Sequence, residues 1–213
     1  MTGLRSTDDL IRELAARPLP VAPAPGRALA AILAAIAVGL GGFWLVFGIR
    51  PDLDTALARM PVLAKSLLPL LLAGLTLTMA LSAGRPEARL RLWPLAIVPL
   101  LAAALVGQRL AVLQGGAIWP EMLGQTAASC LVSITGLALL PIAAGLVWLR
   151  RGAPVHPVGA GALLGLASGA GIAAGYALHC TEDSPLFFVT WYGLGIALAG
   201  GVGALAGHRL LRW

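Results

Sequence analysis

Long apolar runs separated by short polar segments dominate the chain. Six stretches are almost entirely Ala, Leu, Ile, Val and Gly with scattered aromatics: about 28 to 48, 66 to 83, 92 to 107 (extendable to 113), 126 to 148, 157 to 178 and 187 to 207. A helix needs roughly 20 apolar residues to cross a bilayer, so the pattern predicts an all-α integral membrane bundle of six transmembrane helices. One segment has a different period. Before Pro18, Leu10, Ile11 and Leu14 recur at helical spacing among polar residues, with Ser6 or Thr7 available as N-cap and Asp8 and Asp9 in the first turn, where acids favour the positive end of the helix dipole. This is a short amphipathic helix. The prolines from Pro18 to Pro25 make the next stretch an extended linker, because each biases its predecessor away from helix. The expected organisation is therefore residues 1–27 as a cytoplasmic helix and linker, and 28–213 as the membrane domain.

Composition agrees: 59% of residues are hydrophobic, 11% are charged and mean hydropathy is +0.89, well outside the range of a soluble domain. The first run is an uncleaved span and not a secretory signal. Its polar head of 27 residues is too long, and the apolar run continues through Phe43 and Phe47 without a cleavage region.

A net charge of +6 would suggest nucleic acid binding in a soluble protein. Here the basic residues lie between spans and report topology instead. With a cytoplasmic N-terminus, the inner segments hold Arg5, Arg12, Arg17, Arg27, Arg85, Arg89, Arg91, Arg150, Arg151, Arg209 and Arg212, and the outer ones only Arg50, Arg59, Lys65 and Arg109. The expectation is a multi-pass membrane protein with both termini cytoplasmic and no direct contact with nucleic acid. Trp93, Trp119 and Trp148 fall near span ends, where indoles anchor.

Within the spans, Gly161, Gly165 and Gly169 form a stripe in the fifth run, and the sixth is also glycine-rich, so these helices are expected to pack closely on each other or on the fourth. Thr76, Thr78, Ser133, Thr135 and Ser168 can bond to their own helix backbones. Lys65 and Arg109 stand at span edges, from which they can snorkel. No carboxylate or histidine falls near a span centre, which weakens a transporter or channel reading.

Candidate chemistry concentrates at the outer face. The only cysteines are Cys130, about one turn into the fourth run, and Cys180, just beyond the fifth; counting crossings puts both at the same height. Four readings stand: buried small hydrophobes, a structural disulfide, a redox switch, or capture of a thiophilic metal with help from His179 and either Glu182 or Asp183. A membrane thiol oxidoreductase would need a Cys-x-x-Cys pair that the chain lacks. Ser184 has no nucleophile context and reads, with Asp183 and Pro185, as the cap that starts the sixth span. No catalytic residue and no cofactor is expected.

Several segments resemble the NrsF family of proteobacterial anti-sigma factors: Ser129-Cys130-Leu131, Leu149-Arg150-Arg151-Gly152-Ala153-Pro154, Tyr176-Ala177-Leu178-His179-Cys180-Thr181-Glu182-Asp183-Ser184-Pro185, Trp191-Tyr192-Gly193 and the N-terminal Thr7-Asp8-Asp9-Leu10-Ile11. The resemblance implies an inner-membrane protein that holds an extracytoplasmic-function sigma factor at the cytoplasmic face and receives a stress signal outside at Cys130 and Cys180. The N-terminal helix is then the expected docking element. Leu10, Ile11 and Leu14 would supply apolar contact, and Asp8, Asp9 and Glu13 would face basic groups of the sigma factor. The alternative is an arm lying against the membrane surface.

Overall fold

The computed structural model describes residues 6–16, 24–85, 91–113, 117–152 and 154–212. Arg5, Arg17, Arg89, Ala153, most of the proline-rich linker and the side chain of Leu14 lie outside the described residues.

Helix α1 (Thr7–Ala16) begins as its sequence dictates, with the Ser6 hydroxyl accepting the Asp8 N–H at 3.2 Å. Six further helices are long and apolar enough to cross a membrane. They are α2 (Pro25–Phe47), α4 (Met60–Ala83), α5 (Ile97–Val112, entered through a 3₁₀ turn at Trp93–Ala96), α7 (Ala127–Leu149), α8 (Pro157–Tyr176) and α9 (Pro185–Leu210). Two short helices, α3 (Leu53–Ala56) and α6 (Ile118–Leu123), sit in connections. The described residues hold helices and no strands. Proline at the first or second position starts α2, α4, α8 and α9, where its missing N–H costs nothing. Glycines in the left-handed region end α2 at Gly48 (φ 76°) and turn the chain between α6 and α7 at Gly124 (φ 54°).

The spans alternate in direction, so the bundle has two chemically distinct ends. The cysteine end carries the α2–α4, α5–α7 and α8–α9 connections; the arginine end carries Arg27, Arg85, Arg91, Arg150, Arg151, Arg209 and Arg212, all exposed. Helix α8 is the hub, packing most extensively on α9, then α4 and α7. Its stripe Gly161, Gly165 and Gly169 faces α9: a Cβ on Gly161 would strike the Gly203 carbonyl, and one on Gly165 the carbonyl of Ala199. Lipid tails are as apolar as the side chains, so this association depends on backbone approach and dispersion and not on escape from water. Thr76 and Thr78 bond to the carbonyls of Leu72 and Leu75. Thr135 and Ser168 do not follow that expectation, their hydroxyls having no partner.

Two buried clusters fill the interior. One, toward the arginine end, joins Ile32, Ala80, Leu146, Leu149, Ala160 and Leu163; the other, toward the cysteine end, joins Phe43, Ile134, Tyr176, Phe187, Phe188 and Tyr192 around both cysteines.

Candidate functional site

Cys130 lies one turn into α7, its N–H donating to the carbonyl of Thr126 at 2.9 Å, and it is fully buried. Beyond α8 the chain curls back on its last turn, with the N–H groups of His179 and Cys180 both donating to the Tyr176 carbonyl at 2.9 and 3.1 Å. This curl tucks Cys180 inward, leaving it 4% exposed. Both cysteines are free thiols in the same cluster. Aromatic rings wall them: Tyr176 meets Phe43 at 5.5 Å and Tyr192 edge-on at 5.9 Å, and His179 stands edge-on to Phe43 at 5.0 Å.

The segment from His179 to Ser184 is tied by side chains to every other connection at this end. His179 Nδ1 pairs with the Gly48 carbonyl at 2.8 Å, Glu182 Oε1 accepts the Gln125 N–H at 2.9 Å, and the Ser184 hydroxyl donates to Glu121 at 2.6 Å. Glu121 is itself paired with Arg109 at 2.7 Å. Ser184 also caps α9, accepting the Leu186 N–H at 3.2 Å.

Asp183 is the centre of this network. Its carboxylate accepts from Lys65 Nζ at 2.7 Å and from Arg50 at 2.8 and 3.2 Å, and lies 3.1 Å from Arg59. Arg50 also grips Asp52 at 2.8 and 3.0 Å. Lys65 does not snorkel: it is fully buried, because α4 begins at Met60, six residues before the expected start, and carries Lys65 into the bundle. Its remaining protons go to the main-chain carbonyls of Cys180 (2.6 Å) and Glu182 (3.2 Å). An ammonium out of water must have its charge matched and its donors filled, and here both conditions are met. Arg50 also reaches the Cys180 carbonyl at 3.3 Å, so two cations hold the backbone of one cysteine.

The titration behaviour follows. Partial burial pushes the Asp183 carboxyl up, but hydrogen bonds from Arg50 and Lys65 outweigh it and hold the group below the usual carboxylate range. Asp52 is held low by its hydrogen bond from Arg50, and the same bond, with that to Asp183, fixes the guanidinium charge still more firmly.

The residues read as possible metal ligands are thus occupied otherwise. His179 is turned to a carbonyl, Glu182 to an amide and Asp183 to cations. The described residues contain no group of three or more His, Cys, Asp or Glu placed to hold a metal ion. Arg50, Lys65, Arg109 and Glu121 escaped notice as site residues. A signal for them existed in the count: this end has four cations and five carboxylates, Asp52, Asp54, Glu121, Glu182 and Asp183, a ratio that favours pairing over solvation.

In α1, Asp8, Asp9, Leu10 and Ile11 are exposed, with Leu10 48% and Ile11 58% accessible, while Glu13 is half-buried.

Six apolar helices enclosing a pair of free thiols beneath a charged lid define a polytopic helical membrane protein. A family profile described as "Negative regulator of sigma F", NrsF, matches residues 14–213. The chain belongs to the NrsF family. It is 37% identical, over 97% of its length and 99% of the relative's, to the anti-sigma-F factor NrsF of Caulobacter vibrioides (strain NA1000 / CB15N). It is 40% identical to the probable anti-sigma-F factor NrsF of Azospira oryzae over 42% of each chain. No solved structure matches.

Proposed function

We propose that this chain is an anti-sigma factor of the bacterial inner membrane. It sequesters an extracytoplasmic-function sigma factor at the arginine end, taken as cytoplasmic, and releases it when Cys130 and Cys180 at the opposite face are oxidised or capture a thiophilic metal. It is a regulator without catalytic turnover. The observation that carries the reading is the near full-length likeness to a named anti-sigma factor. Two features of the molecule support its parts. The exposed Leu10 and Ile11 beside Asp8 and Asp9 give α1 an apolar and acidic face suited to a partner, with Glu13 and Leu14 completing the proposed contact. The Cys180 carbonyl is held by Lys65 and Arg50, so a change of bonding at that sulfur disturbs α4, and α4 runs the full depth of the bundle to Ala83.

Co-purification of a sigma factor with the detergent-solubilised protein tests the partner; its absence would overturn the reading. Deleting residues 1–17 should abolish that capture, and retention would move the contact to the inner loops. Cys130→Ser and Cys180→Ser should each leave the sigma factor bound under oxidant or metal. A normal response in either variant would dismiss the thiols as the input.

A further inference from the structure

At the arginine end a cleft of about 630 Å³ opens between the end of α4, the 3₁₀ turn before α5, and α8. Its rim is polar, with Arg85 and His156 both exposed, and its floor is apolar, formed by Leu95, Gly159, Ala162 and Leu166 among others. Gly159 and Ala162 leave the room, since small side chains on one face of α8 cannot fill the gap to the turn. From His156 to Leu166 the helix descends about 15 Å, near half the hydrocarbon thickness. Trp93, 71% exposed at the start of the 3₁₀ turn, marks the level of the interface.

We propose that this cleft binds one anionic phospholipid, its phosphate between Arg85 and His156 and an acyl chain along Ala162 and Leu166. The charge of the rim selects the headgroup, and basic pockets between spans at this face suit acidic lipids. The depth of the floor argues against a protein occupant. A docked helix such as α1 is about 10 Å wide and would bring polar side chains into the apolar layer, whereas an acyl chain leaves no polar group there.

The test uses the full chain in nanodiscs of equal phosphatidylglycerol and phosphatidylcholine, with retained lipids counted by native mass spectrometry after mild detergent extraction. The expected result is one retained phosphatidylglycerol, enriched over phosphatidylcholine. Arg85→Gln should cut that enrichment by about fivefold, the worth of one interfacial cation. Ala162→Leu, which fills the floor without touching charge, should remove the bound lipid altogether. Arg150→Gln, exposed at the same end but outside the cleft, should change nothing. Equal retention of the two lipids overturns the proposal, as does a loss in Arg150→Gln matching that in Arg85→Gln, which would indicate surface charge alone. Displacement by millimolar inorganic phosphate, or by a peptide of residues 6–16, overturns it in favour of a soluble anion or of α1. Arg85 is an exposed side chain, so Arg85→Gln keeps the test decisive should Ala162→Leu fail to fold.

Discussion

At the cysteine end the connections are joined chiefly by charged side chains gathered on Asp183, with one main-chain bond from the Arg50 N–H to the Leu178 carbonyl, whereas at the arginine end the helix ends approach one another main chain to main chain. There, a Cβ on Gly152 would strike the Gly84 carbonyl, one on Gly207 the Pro157 carbonyl and one on Gly203 the Gly161 carbonyl. The first kind of joint has a charge state and can be opened by chemistry. The second has only shape and can be opened only by substitution or by moving whole helices. On the function proposed above, this division would set a lid that responds over a seam that does not.

The largest effect is expected where three cations converge on Asp183. Asp183→Asn leaves Lys65 buried and Arg50 without its shared carboxylate; because Asp183 keeps a fifth of its side chain in solvent, the loss falls below the cost of breaking a fully buried pair, about 3–5 kcal/mol. The expected outcome is a large loss of thermal stability together with faster alkylation of Cys180; unchanged alkylation would mean that the lid does not guard the thiol. Next, Gly165→Leu at the α8–α9 seam should destabilise by about 1–3 kcal/mol through overpacking, read as a lower melting temperature in detergent with no early exposure of Cys180. If both variants uncover the thiol equally, the two ends are one cooperative unit and the division fails.

Acid provides a milder probe. Asp183 and Asp52 have carboxyls held below the ordinary range, so their contribution is complete above the unfolded value of about 4 and is lost as pH falls through the lowered folded value. Exchange of Cys180 with a dipyridyl disulfide, which protonation keeps reactive toward thiols in acid, should therefore rise only in strong acid, with the glycine seam unaffected. The smallest effect belongs to Arg109→Gln. The arginine is partly exposed against Glu121, and such a pair contributes about 1 kcal/mol or less; a melting point within a degree or two of the parent is expected.

Much of this architecture was legible in the residues. The six runs, the alternation of charge, the placing of both cysteines at one end and the Ser184 cap all follow from local pattern, because span length, charge bias and capping are properties of neighbouring residues. The glycine stripe of α8 was legible as a seam, and its partner α9 was one of the helices expected to receive it. Lys65 was not legible. Its meaning depends on Asp183, 118 positions away, and a lone cation near the start of an apolar run looks the same whether it reaches for water or for a carboxylate inside. The hydrogen bonds of His179 and Glu182 were not legible for a related reason: they go to a carbonyl of Gly48 and an amide of Gln125, main-chain groups that no motif announces.

Lys65 is the only lysine in the sequence, and it is sealed from solvent. Amine-directed reagents therefore find no side-chain target on the intact protein. Labelling at this one position, followed by mass spectrometry, becomes a built-in reporter of lid opening that needs no engineered probe, and the moment it reacts dates the departure of Asp183 from its side.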